Sequence, residues 1–247
     1  MSPGERAPLH PALSLRSAEG EGGSTATATR ARSLRLTAAW AAAGGILGNV
    51  LGVAFLWNVP SPYRPGDVPA WLAGARAQPV ETVLSSASFV VGLVLLAVFA
   101  ALVLASERPA RPGPFFAGWA LVALGAVLNA AGCVTPAVAV RFLPAPPDAA
   151  GAAVGQALLA VTLHLDAFFN LALGAGLVLA NAAAGKASGW PAWLRILGIA
   201  AGLASLPVGL QFWADPFAKL LALSGPLWLA WFAAAAFHLA RRPAAAG

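Results

Sequence analysis

Residues 162 to 170 read Thr162-Leu-His-Leu-Asp-Ala-Phe-Phe-Asn170 and place Asp166 near the middle of an apolar run from residue 152 to residue 180. A helix needs about 20 apolar residues to cross the hydrocarbon layer of a membrane, so this run is long enough. A carboxylate inside that layer is costly and normally faces other helices or water. The stretch therefore predicts a transmembrane helix with one polar, inward-facing side.

Five similar runs accompany this one. The chain has 247 residues, of which 59% are hydrophobic and 10% charged, with a mean hydropathy of +0.76. Soluble domains carry about 25% charged residues, so most of this chain is expected to face lipid or protein. The runs cover residues 37–58, 83–106, 115–142, 152–180, 193–214 and 218–240. Because the connections are short, we expect an all-α polytopic bundle of six transmembrane helices in one domain, residues 37 to 242.

The two ends of the chain fall outside this predicted domain. Residues 1 to 36 are rich in Arg, Ser, Gly and Thr, and His10 and Pro11 interrupt the only apolar run that could serve as a signal peptide. We expect residues 1–36 to form a disordered cytoplasmic tail and residues 243–247 a short C-terminal tail.

Lys and Arg are distributed unevenly between the two sides of the predicted bundle. Of the 15 in the chain, 11 lie in the N-terminal tail, the second and fourth connections, the start of the fifth span and the C terminus. The other four lie on the opposite side, where four acidic residues accompany them: Arg64, Arg76, Arg141 and Lys219 with Asp67, Glu81, Asp148 and Asp215. The positive-inside rule then predicts cytoplasmic termini and a multi-pass protein of the bacterial cytoplasmic (inner) membrane.

Glycine and tryptophan positions are typical of packed membrane helices. Small residues repeat along one face of the first, third and fifth spans, where they allow close helix approach: Gly44, Gly48 and Gly52, then Gly118, Gly125 and Gly132, then Gly198 and Gly202. Six tryptophans near span ends predict interfacial belts: Trp40, Trp57, Trp119, Trp190, Trp193 and Trp213. Trp228 and Trp231 share a face in mid-span, which predicts packing or lipid contact.

Prolines mark the half of the membrane away from the termini. Pro136, Pro207 and Pro226 each remove a helical hydrogen bond and free a carbonyl that needs another partner. We expect an outward-opening cleft between the third, fifth and sixth spans, with Gln211 in its wall. The proline-rich connection from 59 to 78 predicts an extended cap that is either a spacer or a lid.

The candidate intramembrane polar site is centred on Asp166. Thr162 and Asn170 share its face of the fourth span, and Asn129 and Asn49 lie at a similar predicted depth on other spans. His164 is also a candidate, although it lies about 200° around the helix from Asp166. Because no Lys or Arg is predicted at this depth, the carboxyl is either neutral and packed or in contact with water.

No residue pattern indicates a catalytic, metal or cofactor site. The chain has one cysteine, Cys133, which excludes an intrachain disulfide, and His and Cys do not occur at metal-ligand spacing. His164 and His238 differ in predicted depth by roughly 16 Å, too much for the two axial ligands of one haem. The basic residues lie at segment ends and form no nucleic-acid-binding stripe.

The order of features suggests a family. A glycine-rich first helix is followed by the segment Ser61-Pro-Tyr-Arg-Pro-Gly-Asp67, the polar fourth helix, and Trp190-Pro-Ala-Trp-Leu-Arg195 leading into Ile196-Leu-Gly-Ile-Ala-Ala-Gly202. Over residues 35 to 242 this resembles small six-helix bacterial integral membrane proteins of a family whose domain has no known function. The resemblance implies fold and location only.

Three functions are compatible with these patterns. The leading interpretation is a non-enzymatic structural or accessory role, with the lipid bilayer, other membrane subunits or a second copy of the chain as partners. The alternative is a small-molecule permease or proton-coupled carrier with Asp166 as its protonatable site. The third, a subunit of a larger membrane complex, is favoured if the glycine faces have no partner within the chain.

Overall fold

The architecture is entirely helical over the described part of the chain. The computed structural model describes residues 12–57, 59, 68–107, 109–144, 147–185, 188–211 and 216–242, with side chains from residue 29 onward. Its helices are α1 Ala12–Phe55, α2 Val68–Ala77, α3 Pro79–Ser106, α4 Pro112–Phe142, α5 Ala149–Ala184, α6 Ala192–Ser205, a 3-10 helix Pro207–Leu210, α7 Pro216–Lys219 and α8 Leu221–Arg241.

The predicted six-helix transmembrane fold is confirmed. Six segments are long and apolar enough to cross a membrane: α1 from Thr29 onward, α3, α4, α5, α6 with its 3-10 extension, and α8. Each predicted run lies within one of these segments or overlaps it closely. We refer to the side of the bundle where α1 enters and α8 ends as the terminal side, and to the other as the far side.

Two connecting regions differ from their prediction. Helix α1 begins at Ala12, where a disordered tail was expected up to residue 36, because this segment is rich in Ala, Leu and Arg, which favour helix. The cap predicted to be extended over 59–78 contains helix α2 instead. Residues 1–11, 60–67 and 243–247, which carry the rest of those predictions, lie outside the described residues.

The six spans form a closed ring in chain order. Helix α1 packs against α3, α3 against α4, α4 against α5, α5 against α6, and α6 against α8, and α8 returns to contact α1. Each span thus has the preceding and the following span as neighbours. Such an arrangement needs only short connections between antiparallel helices.

Glycine faces hold three of these neighbouring pairs close together. A β-carbon on Gly48 would lie 2.6 Å from the Cα of Gly92, so α1 and α3 are in backbone contact there. Gly118 of α4 approaches Gly176 and Ala180 of α5 in the same way, and Gly202 of α6 approaches Gly174 of α5. The glycine faces are therefore occupied within the chain, which removes the observation that would have favoured a subunit of a larger complex.

An aromatic cluster fills the ring on its terminal half. Its members come from α3, α4, α5, α8 and the segment two residues before α6, and their rings lie at edge-to-face and stacked distances: Phe99, Phe115, Trp119, Phe169, Trp190, Trp228, Trp231 and Phe232. Phe99 and Trp231 are fully buried, and the Trp231 indole donates to the Leu194 carbonyl at 3.0 Å. Such aromatic contacts contribute beyond the area that they bury.

The cluster changes the interpretation of four tryptophans. Trp119 and Trp190 were predicted to face the headgroups, but both are buried, because a position near a span end does not determine which way an indole points. Trp228 and Trp231 are buried inside the ring, so of the two predicted alternatives, packing or lipid contact, the structure shows packing. Trp213 lies outside the described residues.

A buried ion-pair network closes the ring at its terminal side. Glu107, which follows α3, pairs with Arg35 of α1 at 3.4 Å and with Arg242 after α8 at 2.7 Å. Arg242 also donates to the carbonyl of Ser188, which precedes α6. One carboxylate therefore connects the first, second, fifth and sixth spans.

On the far side, α2 covers the ends of α4 and α5. Trp71 and Leu72 of α2 pack with Ala139 and Leu159 in a second, smaller apolar cluster. Arg76 donates to carbonyls in the last turn of α4 and just after it, among them Val140 at 3.2 Å. Basic groups are favourable at a helix C-terminus, so this contact fixes α2 in place.

We expect Gly48→Val to destabilise the protein. The new side chain would collide with the backbone of α3, and overpacking of this kind costs about 1–3 kcal/mol or more. The melting temperature in detergent should therefore fall by several degrees. Ala43→Val, which adds the same side chain at an exposed position of α1, is the matched control and should leave the melting temperature nearly unchanged. Equal melting temperatures for both variants would contradict the close packing of α1 and α3.

Candidate functional site

Amide groups from three separate segments surround the carboxylate of Asp166. Asn129 of α4 donates to Asp166 Oδ1 at 3.2 Å, and Gln211, just after the 3-10 helix, donates to Oδ2 at 2.8 Å. Asn170, one turn further along α5, donates to the Asp166 carbonyl at 2.9 Å and lies 3.4 Å from Oδ2. Three neutral donors thus converge on one partly buried acid.

The position of Gln211 depends on Pro207. Proline has no N–H to continue the α-helical hydrogen-bond ladder, and α6 accordingly ends at Ser205. The chain continues as the 3-10 helix over Pro207–Leu210, where the Gly209 position packs closely on Leu171 of α5. Gln211 follows immediately and is buried, with its amide at Asp166.

A second polar group lies one turn away on the far side of Asp166. Pro136 cannot donate to the carbonyl of Gly132, and the hydroxyls of Thr135 and Thr162 take over at 2.9 and 3.3 Å. The two hydroxyls also contact each other. The expectation that a proline-freed carbonyl finds another partner is confirmed here, with one hydroxyl donor from the same helix and one from α5.

A small cavity adjoins this hydroxyl pair beneath α2. Its lining includes Thr162, Pro136 and Cys133 from α5 and α4, together with Ser85 and Ser86 of α3. Its volume is ≈ 20 Å³, which is room for about one water molecule. The cleft was predicted between the third, fifth and sixth spans. This cavity lies instead among the residues after α1 and helices α2, α3, α4 and α5.

Asp166 lies near the middle of helix α5. It is 18 residues from the end of α5 at Ala184, or about 27 Å along the helix. The exposed indoles of Trp40 and Trp57, which suit the two interfaces, are separated along α1 by about 25 Å. The mid-depth position of Asp166 stays a prediction, because α5 has 36 residues and exceeds the membrane thickness, so the middle of the helix does not by itself define the middle of the bilayer.

Two candidate residues lie away from this site. Asn49 is buried against Gly92 of α3 and donates to the Gly45 carbonyl of its own helix, so it supports the contact of α1 with α3. His164 is exposed on α5, and its Nδ1 lies 2.7 Å from the Ala160 carbonyl. Neither residue has a described contact with Asp166. The sequence had placed Asn49 near Asp166 on depth alone, and depth does not decide which helices are neighbours.

Two residues at the site were not among the candidates. Gln211 had been assigned to the wall of a cleft, and Thr135 had not been singled out. The signal for Thr135 was available, because it directly precedes Pro136 and can reach the carbonyl that this proline frees. The position of Gln211 depends on how far α6 extends, which residue counting alone does not determine.

The site is polar but carries a single charged group. Over the described ranges, no Lys, Arg or His lies within ion-pair distance of Asp166, and no group of three or more His, Cys, Asp or Glu residues could hold a metal ion. Asn129 Oδ1 and Asn170 Oδ1 are buried without a hydrogen-bond partner there. An isolated carboxylate with neutral donors can bind and release a proton or another small cation.

We expect Gln211 and Asp166 to be energetically coupled. In a double-mutant cycle with Gln211→Ala and Asp166→Ala, the coupling free energy should be about 1–2 kcal/mol, since hydrogen bonds to a charged group are stronger than the membrane average. Unfolding in mixed micelles measures it. Gln156 lies exposed on α5, so Gln156→Ala with Asp166→Ala is the control and should show no coupling. Zero coupling in the first cycle would exclude the described hydrogen bond.

Comparison with known proteins adds no relative. No family model, curated protein or solved structure matches the chain, so the family resemblance stays a prediction and the residues themselves carry the functional interpretation.

Proposed function

We propose that the protein is a small ion-coupled carrier of the membrane, in which Asp166 binds and releases the coupling proton. The observation that carries this proposal is the environment of the carboxylate, which three neutral amides hold and no basic residue neutralises over the described ranges. A bundle that needed only packing would be served as well by an apolar side chain, since buried charge is weak evidence of a stabilising role. The proposal keeps the role non-enzymatic.

Access to Asp166 is expected from the far side. The cavity beneath α2 reaches Thr162, and Thr162 precedes Asp166 by four residues on the same face of α5, or about 6 Å. The hydroxyls of Thr162 and Thr135 contact each other at the cavity and can pass a proton toward Asp166, because each hydroxyl both donates and accepts. A proton would pass from the water-sized cavity through these two hydroxyls to Asp166.

The aromatic cluster supports closure on the other side. It fills the ring between Asp166 and the Glu107 network with fully buried rings such as Phe99 and Trp231. The terminal side also carries the excess of Arg, which favours placing it in the cytoplasm. We therefore assign the described arrangement to a state closed toward the cytoplasm, with the small cavity beneath α2 on the side from which it would open.

A structural or accessory role is the second candidate, and one observation favours it. The cavity has a volume of ≈ 20 Å³, whereas ligand sites usually occupy roughly 300 Å³ or more. A carrier must therefore open further at α2 or at the broken end of α6 to admit a substrate. In a purely structural protein, Asp166 would stay dry and hydrogen-bonded.

We expect the carboxyl of Asp166 to exchange protons with bulk water. In purified protein in lipid, the infrared band of a protonated carboxyl should change reversibly between about pH 5 and pH 9 and be absent from the difference spectrum of Asp166→Asn. Glu107 also carries a buried carboxylate, so Glu107→Gln is measured in parallel and should retain the band. A band that stays constant over this pH range would leave the structural role as the better account.

We also expect Cys133 to react from the far side. It lines the cavity and is the one cysteine of the chain, so when α2 opens as a carrier requires, a small membrane-impermeant methanethiosulfonate added to intact cells should modify it, while a bulky maleimide should not. Cys133→Ala is the control for labelling at other groups. Modification only in inverted membrane vesicles would place the cavity on the cytoplasmic side and contradict the proposed orientation.

A further inference from the structure

We propose that the amide cluster around Asp166 is a binding site for an alkali cation, with the carboxylate oxygens of Asp166, Asn129 Oδ1 and Gln211 Oε1 as its ligands. This inference rests on the proposed function, because the cation would replace the proton as the coupling ion at the same carboxylate. It goes beyond that function by naming the chemical class of the ion and the residues that would bind it.

Two side-chain amide oxygens of the cluster have no hydrogen-bond partner in the described residues. Asn129 and Asn170 are 4% and 1% exposed, and the Oδ1 atom of each is buried without a hydrogen-bond partner in the described part of the chain. Buried amide oxygens are normally satisfied, and leaving one without a partner costs about 1–3 kcal/mol. Both oxygens belong to amides whose nitrogens contact Asp166, so the cluster has unused capacity to accept a positive charge.

Two of the side-chain amides can rotate by a half-turn without losing any described hydrogen bond other than the one to Asp166. Asn129 and Gln211 each have one described side-chain hydrogen bond, the one to Asp166. A half-turn of the terminal amide exchanges its nitrogen and oxygen, and the two orientations have nearly the same shape. The turned amides would direct Oδ1 and Oε1 at the space that their nitrogens now occupy beside the carboxylate.

The third amide has a different role. Asn170 donates to the backbone carbonyl of Asp166 at 2.9 Å, a bond that it would lose on turning. It therefore keeps its orientation and holds the first turn after Asp166 in place. The site then offers four oxygens, two of them on the carboxylate, and water would complete the coordination of a cation.

The charge and atom types favour an alkali cation over other metals. The ligands are all oxygens, which suit hard cations, and the cluster contains no sulfur or imidazole for a transition metal. One carboxylate balances one positive charge, whereas calcium and magnesium sites normally use more carboxylates and phosphates. The broken end of α6 fits the same interpretation, since coupling ions in transporters often bind where a membrane helix is interrupted.

The test is binding of ²²Na⁺ to the full chain in lipid nanodiscs, measured by scintillation proximity. Wild type should bind ²²Na⁺ saturably, and lowering the pH should reduce binding because protons compete for Asp166, the one titratable group among the residues hydrogen-bonded in the cluster. Asp166→Asn should abolish binding, and Gln211→Leu should weaken it about tenfold, equivalent to about 1.4 kcal/mol. Gln156→Leu is the matched control and should bind like wild type.

The outcomes separate the two proposals. Absence of saturable binding by wild type, with Li⁺ and K⁺ also failing to shift its melting temperature, would overturn the cation site. Retention of binding by Asp166→Asn would overturn it as well. If the carboxyl band nevertheless titrates with bulk pH, the cation site fails alone and Asp166 is coupled to protons only. If the band is constant as well, the proposed function fails with it.

Discussion

The cost of placing a carboxylate among apolar helices determines how this bundle is built around Asp166. Without a basic partner over the described ranges, the acid depends on neutral donors, and each donor must come from a different direction to reach it. Asn129 requires α4 to lie against α5, which the glycine contacts along both helices allow. Gln211 requires α6 to stop at the right depth, which Pro207 provides. Pro207, which ends α6, therefore positions Gln211 for the shortest of the three hydrogen bonds to Asp166.

The two halves of the ring differ in what fills them. Toward the terminal side, packed aromatic rings leave the helices in fixed contact, and the Glu107 network holds the spans together at that end. Toward the far side, the interior contains hydroxyls, amides and a small cavity beneath a short helix. Glycine contacts hold the neighbours close in both halves. The polar, less completely filled part of the interior therefore lies on the far side and the apolar aromatic part on the terminal side.

Much of the fold was predictable, because the number of spans follows from the lengths of the apolar runs and the packed helix faces follow from the periodicity of the glycines. Six runs of sufficient length predict six spans, and glycines at spacings of four and seven predict the faces that pack. The association of Asp166 with Asn129 and Asn170 follows from a shared helix face and a similar position along the spans. The remaining features depend on which helices are neighbours and on how each helix is shifted and rotated relative to them. Asn49 lies on α1, whose main partners are α3 and α8. Trp119 and Trp190 lie at span ends yet point inward, which depends on the rotation of each helix about its axis.

The chain-order ring also bears on how the protein is made. Helix α8 is synthesised after the other five spans, and it alone bridges the gap between α6 and α1. Until it is inserted, Phe99 and Trp119 lack the indole of Trp231, and Glu107 lacks Arg242. Among the six spans, closure of the ring therefore waits until α8 has been inserted.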